Sequence, residues 1–169
     1  MTNVYWITGL SGAGKTTLGK ALYNKMLQSN PNTVLLDGDD LRKIFDTVTD
    51  YSTQARKNLA MSYSRLCHML SRQGINVIIC TISMFHDVHK WNRKEIDGYV
   101  EIYLKTSLET LRQRDGKGLY AQQSKGTIKN LVGIDIQAEE PINPDLIVET
   151  DSLSIDDVLL NVESFLAGR

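Results

Sequence analysis

The chain has 169 residues, of which 41% are hydrophobic and 23% are charged, and its formal net charge is −1. This length and composition are typical of one globular domain with a core of its own, and they exclude a disordered or fibrous chain. A net charge so close to zero argues against recruitment of nucleic acid or of an anionic membrane by a general positive field. No apolar run approaches the length of a membrane span, and no leader-like segment precedes the first strand, so we expect a cytoplasmic protein.

Hydrophobic periodicity predicts strands and helices that alternate along the chain. The predicted strands are 4–8, 33–36, 75–80, 100–104 and 146–148, and the predicted helices are 17–28, 40–45, 52–72, 87–96, 107–114 and 155–166. This alternation predicts an α/β fold with a mostly parallel five-stranded sheet, in a single domain over residues 1–169. The segment 115–140 has no clear period, and we expect it to be irregular and to belong to a lid over about 112–140.

The segment 9–16, between the first predicted strand and the first predicted helix, fits the pattern G-x-x-x-x-G-K-[ST]. Its glycines let backbone N–H groups point inward, where they and the helix N-terminus hold polyphosphate oxygens. In such a loop Lys15 reaches the β- and γ-phosphates and the Thr16 hydroxyl is a ligand for Mg²⁺. The motif predicts a three-layer sandwich of the P-loop NTPase type that uses ATP and Mg²⁺. The residues expected to bind ATP here are Gly9, Ser11, Gly12, Ala13, Gly14, Lys15, Thr16 and Thr17.

A second polar group, residues 37–42, follows the second predicted strand, and α/β sheets place ligands at the carboxyl ends of their strands. The carboxylates of Asp37 and Asp39 are suited to hold water molecules of Mg²⁺ or to accept a proton from an acceptor hydroxyl. Arg42 is suited to pair with a phosphate of the acceptor. An acidic helix cap followed by a surface arginine is the alternative interpretation.

The start of the predicted lid is cationic, with Arg112, Arg114 and Lys117 separated by glycine-rich sequence. Such a segment suits a lid that closes over phosphates, although a solvated basic helix end explains Arg112 equally well. We therefore expect the lid cations to act at the ligand, with Lys117 as the strongest candidate.

Residues 81–86 follow the third predicted strand and should border the pocket of the acceptor. His86 and His89 lie three residues apart on one helix, a spacing that permits a metal site, but we interpret them as surface or pocket-rim residues. Trp91 is interpreted as core packing rather than as a platform for a base.

The chain has two cysteines, Cys67 and Cys80. Neither has the spacing of a metal site, and both lie in apolar patterns. We expect two buried thiols in a reducing compartment.

The phosphate loop is shared by switches, motors and small-molecule kinases. The guanine motif N-K-x-D of GTPases is not matched, because Asn24 and Lys25 lie in the first predicted helix and are followed by Met26 and Leu27. The small size of the chain and its one lid-like segment favour a kinase that acts on a small metabolite.

Together these motifs resemble the adenylylsulfate (APS) kinase family from residue 3 to about residue 150. The resemblance is carried by residues 9–17, 36–39 with Arg42, 82–83, 114–115, 117–120, and 133–135 with Glu139 and Pro141. It implies transfer of the γ-phosphate of ATP to the ribose 3′-hydroxyl of a nucleotide that carries an activated group. It also implies Mg²⁺, a lid and a homodimer.

The resemblance further implies roles for single residues. Asp39 would be the candidate base, and Asp37 would hold Mg²⁺ through water. Lys15 and Asp39 are the catalytic candidates, with Ser83 as a third, since its family counterpart is sometimes assigned as a phosphoserine. We do not expect that intermediate, because in-line transfer requires positioning of the reactants and charge neutralisation rather than a covalent phosphoenzyme intermediate. The residues expected to bind the acceptor are Asp37, Asp39, Arg42, Tyr51, Arg56, Ile82, Ser83, Lys117, Gly118, Leu119 and Leu131, and Arg114 is expected to bind ATP.

Departures from the family pattern cluster on the acceptor side. Ala55 stands for the usual Asp, Leu59 for the usual Asn and Leu131 for a clamping Phe, and residues 83–86 read Ser-Met-Phe-His in place of Ser-Pro-x-Arg. The resemblance also extends to kinases of cytidine diphosphoramidate, an intermediate in the modification of bacterial capsular polysaccharide. The smaller base of that nucleotide is consistent with the changed clamp.

The sequence therefore leaves three hypotheses for the activity. We rank cytidine diphosphoramidate slightly ahead of adenylylsulfate as the acceptor of a ribose 3′-kinase. Another P-loop kinase of a small metabolite is the second class, and a non-catalytic ATP-binding regulator is the third.

Overall fold

The computed structural model describes residues 2–45 and 52–169. Within these residues the strands are β1 (Val4–Thr8), β2 (Thr33–Asp37), β3 (Asn76–Cys80), β4 (Tyr99–Lys105) and β5 (Leu146–Glu149). They form one sheet in the order β2-β3-β1-β4-β5, and every neighbouring pair is parallel. The predicted α/β fold with a parallel sheet is confirmed.

The helices of the described residues are α1 (Lys15–Met26), α2 (Gly38–Ile44), α3 (Thr53–Ser71), α4 (His86–Glu95), α5 (Leu108–Arg114), α6 (Leu119–Ser124) and α7 (Ile155–Ala167). Serine caps begin three of them. Ser52 accepts from Ala55 N at 3.2 Å, Ser107 accepts from Thr110 N at 3.2 Å, and Ser154 forms a capping box with α7. These caps satisfy N–H groups that the first helical turn leaves unpaired, which fixes where each helix begins.

Buried side chains cover both faces of the sheet and divide into two clusters. On one face Ile7 and Ile78 pack with helices α1 and α7, and on the other Trp6, Val77 and Ile79 pack with α3 and α4. Because β1 and β3 are covered on both sides, their sequences are continuous apolar runs rather than alternating ones. The outcome is a three-layer sandwich. Both cysteines are buried thiols, as the sequence predicts.

The structure of the lid segment differs from the predicted irregular structure. Residues 115–140 are not irregular throughout, since α6 forms a short helix at 119–124. Its six residues are too few to show a helical period, and its start depends on Asp115, whose carboxylate accepts from Tyr120 N at 3.1 Å and from Ala121 N at 2.9 Å. Among the described helices, none combines the length and the apolar character that crossing a bilayer requires.

Candidate active site

The carboxyl ends of β1, β2 and β3 bring three loops to one edge of the sheet. Between them and the lid lies a cavity of about 800 Å³. Its floor is formed by the loop after β1, and its walls by the segments that follow β2, β3 and α5. A cavity at this edge is where parallel α/β sheets bind their ligands.

The loop after β1 has the backbone of a phosphate-binding loop. Gly12 and Gly14 have φ values of 84° and 95°, in the left-handed region that side chains with a Cβ disfavour. Gly9 is packed so closely that a Cβ there would lie 2.6 Å from the carbonyl oxygen of Leu104. Glycine is therefore required at Gly9, Gly12 and Gly14. The backbone path that these glycines permit leaves the N-terminus of α1 open toward the cavity.

Lys15 is the first residue of α1 and lies in this loop. Its Nζ donates to the carbonyl oxygen of Leu10 at 2.7 Å. Part of the side chain surface stays exposed, but protein atoms surround the ammonium, and this burial lowers the pKa of Lys15 to about 8. Nearby Lys117 lowers that pKa further, while the carboxylates of Asp39 and Asp37 act in the opposite direction.

Two oxygen groups meet beside Lys15. The Thr16 hydroxyl donates to Asp37 Oδ2 at 2.7 Å, and Asp37 Oδ1 accepts from Asp39 N at 2.8 Å, so that Asp37 caps α2. A hydroxyl and a carboxylate placed together at a phosphate loop are the hard oxygen ligands that Mg²⁺ takes. The pair fits the Mg²⁺ that the sequence predicts.

Asp39 lies on the first turn of α2 and faces the lid, where it forms an ion pair with Lys117. Arg42 lines the same cavity one helical turn further along. Arg56 on α3 reaches the lid from the other side, and its Nη2 donates to the carbonyl oxygen of Asn130 at 2.9 Å. Cations from three elements thus surround the space in front of Asp39.

The lid is fastened to the phosphate loop at one buried point. The Tyr120 hydroxyl on α6 donates to the carbonyl oxygen of Ser11 at 2.8 Å. Further along the lid, Asp135 accepts from Leu131 N at 2.9 Å and from the Gln123 amide at 2.9 Å. These contacts hold residues 117–119 at the mouth of the cavity.

The wall that follows β3 is formed by buried polar and apolar groups. The Ser83 hydroxyl lies 2.7 Å from Thr81 Oγ1, and the carbonyl oxygen of Ile82 accepts from the hydroxyl of Thr8. Met84 and Phe85 extend this wall. Since its hydroxyl is already bonded within the wall, the geometry of Ser83 favours a structural role over that of a nucleophile.

Arg114, the last residue of α5, lines the cavity on the side of β5. Arg114 donates to the carbonyl oxygen of Thr150 at 2.6 Å and to its hydroxyl at 3.3 Å. Since β5 and β2 are the two edge strands of the sheet, Arg114 and Asp39 lie on opposite sides of the phosphate loop. The cavity therefore offers two ligand positions, with the loop between them.

Most of the predicted site residues line this one cavity. They are Ser11, Gly12, Gly14, Lys15, Thr16, Thr17, Asp37, Asp39, Arg42, Arg56, Ile82, Ser83, Arg114, Lys117, Leu119 and Leu131. Gly9, Ala13 and Gly118 do not line it but belong to the two loops that shape it. Tyr51 lies outside the described residues. Sequence reasoning missed Tyr63, which a helical pattern explained, and Lys129, which no pattern singled out. Met84 lines the cavity as part of the segment 81–86, as the sequence predicts.

The prediction of surface or pocket-rim histidines is confirmed for His86 and wrong for His89. His86 is exposed at the start of α4, where its backbone N–H donates to Glu139 Oε2 at 2.6 Å. His89 is buried instead of lying on the surface, and it contacts Ser83 and Glu101. Trp91 packs against the core, as expected. Within the described residues no group of three metal-ligating side chains occurs.

A family model for adenylylsulphate kinase matches residues 1–149. The chain belongs to this family. It is 41% identical over 145 residues to the cytidine diphosphoramidate kinase of Campylobacter jejuni, covering 86% of this chain and 84% of that protein. It is also 41% identical over 151 residues to a probable adenylyl-sulfate kinase of Archaeoglobus fulgidus, covering 89% of this chain and 97% of that protein. The predicted family is thereby confirmed, and the chain is a phosphotransferase.

Solved structures agree with this assignment. The APS kinase of Mycobacterium tuberculosis in complex with AMPPNP and APS superimposes with a TM-score of 0.89 at 31% identity, covering 98% of both chains. The family acts on a nucleotide-activated acceptor. Because identity is 41% to kinases of two different acceptors, sequence similarity does not choose between them.

Proposed function

We propose that this kinase transfers the γ-phosphate of ATP to the ribose 3′-hydroxyl of a nucleotide, with cytidine diphosphoramidate ranked slightly ahead of adenylylsulfate. The main observation that supports this proposal is the placement of Asp39 and Arg114 on opposite sides of the phosphate loop in one cavity. In-line transfer requires this order, because the acceptor hydroxyl must approach the γ-phosphate from the side away from the leaving group. The solved relative in complex with AMPPNP and APS supports a site for two ligands.

The ATP half of the site is formed by the phosphate loop and the end of α5. Backbone N–H groups around Gly12 and Gly14 would hold the phosphates, and Lys15 would exchange its contact with Leu10 for phosphate oxygens. Arg114, which lines the cavity and is bonded to Thr150, would face the base of ATP. Its guanidinium is planar and stacks well on a base.

Mg²⁺ would be held by the Thr16 hydroxyl directly and by Asp37 through water. When bound, it supplies positive charge at the β- and γ-phosphate oxygens. The protein contributes the fixed placement of both oxygen groups.

On the acceptor side we assign Asp39 as the base. Its carboxylate is ion-paired with Lys117, so a bound acceptor would displace Lys117 toward the transferred phosphoryl group and leave Asp39 to accept the hydroxyl proton. Arg42 and Arg56 line the same half and would pair with the phosphates of the acceptor nucleotide. Ser83 shapes the wall, and the proposal includes no phosphoserine.

The preference for cytidine diphosphoramidate depends on the wall around the acceptor base. Leu59 and Leu131 are buried aliphatic residues where the family usually has a polar and an aromatic side chain. Stacking on an aromatic side chain contributes about 1–3 kcal/mol per base. A purine, with its larger ring, loses more from the missing aromatic face than a pyrimidine does, which favours the cytidine nucleotide.

An assay of ATP consumption with purified protein, Mg²⁺ and each acceptor separately tests the proposal. We expect turnover with cytidine diphosphoramidate and a lower kcat/KM with adenylylsulfate. A preference for adenylylsulfate would reverse the ranking and show that Leu131 replaces the aromatic clamp without loss. No turnover with either acceptor would overturn the proposed reaction. We further propose that the protein is a cytoplasmic homodimer of single-domain chains. Light scattering measures its mass in solution and tests the dimer.

A further inference from the structure

The cavity wall after β3 contains an unusual backbone conformation. Ser83 has a φ of 30°, and among the described residues the other non-glycine residue with φ in the left-handed region is Asn130, at 63°. Such a conformation is unfavourable for a residue with a Cβ and persists only where neighbouring groups hold it in place. Ser83 is 8% exposed and lines the cavity beside Met84.

His89 stabilises this backbone conformation of Ser83. It lies one turn into α4, and its Nε2 is 2.9 Å from the carbonyl oxygen of Ser83, so the ring N–H donates to that oxygen. The carbonyl also accepts from Phe85 N at 3.0 Å. Of these two donors only the imidazole comes from a side chain, so only this contact can be removed by substitution without changing the backbone.

The imidazole is itself fixed from behind. His89 Nδ1 lies 2.7 Å from Glu101 Oε1 on β4, a close contact between the ring and a buried carboxyl group. The side chains of both residues are nearly inaccessible, at 8% and 3% exposed. Trp6 places its ring edge-on to the imidazole, with centroids 6.5 Å apart. The ring of His89 therefore has one available orientation.

Charge continues from Glu101 to the surface. Arg93 Nη2 lies 3.1 Å from Glu101 Oε2 and 3.0 Å from Asp145 Oδ2. Glu101 thus has a cationic partner and does not need His89 to compensate its buried charge. Buried charged groups are costly unless paired, so a chain of this kind points to a role other than stability alone.

We propose that His89, oriented by Glu101, is a positioning residue that fixes the Ser83 carbonyl and with it the wall of the acceptor site. The inference rests on the proposed function, because it concerns the half of the cavity assigned to the acceptor. Ser83 follows β3, the strand next to β2 and Asp39, and lies away from Arg114 and the end of β5. Loosening this wall should affect acceptor binding and spare ATP binding.

Two substitutions separate the contacts of the ring. His89→Gln places an amide donor near the position of Nε2 and keeps the reach to Ser83. His89→Asn ends near the position of Nδ1, so it faces Glu101 but does not reach Ser83. We expect His89→Asn to raise the acceptor KM about tenfold with little change in the KM for ATP, and His89→Gln to recover most of that loss. His68→Asn, on α3 beside Trp91, is the matched control and should leave both KM values unchanged.

A merely structural His89 would give a different pattern. Both variants would then lower kcat in proportion to the folded fraction and leave both KM values alike, and this result would overturn the proposal. If His89→Asn does not fold, the comparison of His89→Gln with Glu101→Gln decides the matter. Glu101→Gln, which weakens the orientation of the ring, should raise the acceptor KM, while His89→Gln should not.

A readout that does not depend on activity separates this inference from the proposed function. Amide hydrogen exchange of residues 83–85 in the ligand-free protein should be faster in His89→Asn than in wild type and close to wild type in His89→Gln. If wild type turns over neither acceptor but exchange follows this order, the proposed function fails and the positioning of Ser83 stands. Equal exchange in all three proteins would refute the positioning.

Discussion

Lys117 of the lid and Asp39 at the start of α2 form an ion pair across the mouth of the cavity. Their side chains are 59% and 64% exposed, and ion pairs this exposed contribute only about 0–1 kcal/mol to stability. The pair therefore matters for position rather than for folding. It holds a cation beside the carboxylate that we assign as the base.

Replacing Asp39 with Asn should abolish most of the turnover. The amide keeps the size of the side chain but cannot accept the proton of the acceptor hydroxyl, so we expect kcat to fall at least about 100-fold. Steady-state kinetics with the preferred acceptor measure this, and the KM for ATP should change little. Asp40→Asn is the control, because Asp40 pairs with Lys43 on the outer side of α2. A kcat within about threefold of wild type would show that Asp39 is not the base.

The lowered pKa of Lys15 predicts how ATP binding depends on pH. Below a pKa of about 8 the ammonium is charged and binds phosphate, while above it the free protein loses that charge. The apparent Kd for ATP should therefore be lowest below pH 8 and rise with pH, approaching about tenfold per unit. Titrations with a fluorescent ATP analogue measure this. Lys15→Arg keeps its charge and should show a flat profile, so a flat wild-type profile would contradict the assignment.

The same shift acts on stability with the opposite sign. Between about pH 8 and pH 10.5 the unfolded chain holds a proton at Lys15 that the folded chain has released. The contribution of Lys15 to the free energy of unfolding therefore rises with pH through this window. Below it, both states are protonated and the cost of burying the charge is present in full.

The sequence was sufficient for the features that depend on local pattern. Continuous apolar runs identify β1 and β3 because both faces of these strands are covered, and the spacing of glycine and lysine identifies the loop at 9–16. The short α6 could not be predicted, since it depends on a cap by Asp115 rather than on periodicity. The burial of His89 was missed for a related reason. Its partner Glu101 lies on β4, and the local sequence pattern of α4 does not indicate a contact with a side chain on that strand.

Arg56 shows the same limit within the site. Its position in the motif predicted a role at the acceptor, and the structure adds a contact with the carbonyl oxygen of Asn130, 74 residues away in the chain. Contacts between α3 and the lid depend on how the lid folds back over the cavity. They are therefore a property of tertiary structure that sequence spacing does not contain.

Removing one hydroxyl should loosen the lid. Tyr120→Phe deletes the hydrogen bond to the Ser11 carbonyl and leaves that buried acceptor without its partner, at a cost of about 1–3 kcal/mol. We expect faster proteolysis within residues 112–140 and a lower kcat. Limited proteolysis with mass spectrometry locates the cuts, and Tyr23→Phe on α1 serves as the control. If Tyr120→Phe resists proteolysis as wild type does, this hydrogen bond does not hold the lid.

The packing of α1 on the sheet predicts a change of sign in a double-mutant cycle. A Cβ at Gly19 would lie 2.2 Å from Cys80 Sγ, so Gly19→Ala forces a clash at the centre of the fold. Overpacking costs about 1–3 kcal/mol, more than the roughly 1 kcal/mol that alanine gains over glycine in a helix. We expect a net loss of stability in wild type.

In a Cys80→Ala background the sulfur is gone and the same substitution should become neutral or stabilising, because the gain in helix propensity is then opposed only by the milder contact with Leu35. Chemical denaturation of the four proteins measures the coupling. Gly168→Ala, whose Cβ would approach no atom closer than 3.7 Å, controls for glycine substitution in general. Equal effects of Gly19→Ala in both backgrounds would show that Leu35, the next contact at 3.2 Å, limits the packing instead of Cys80.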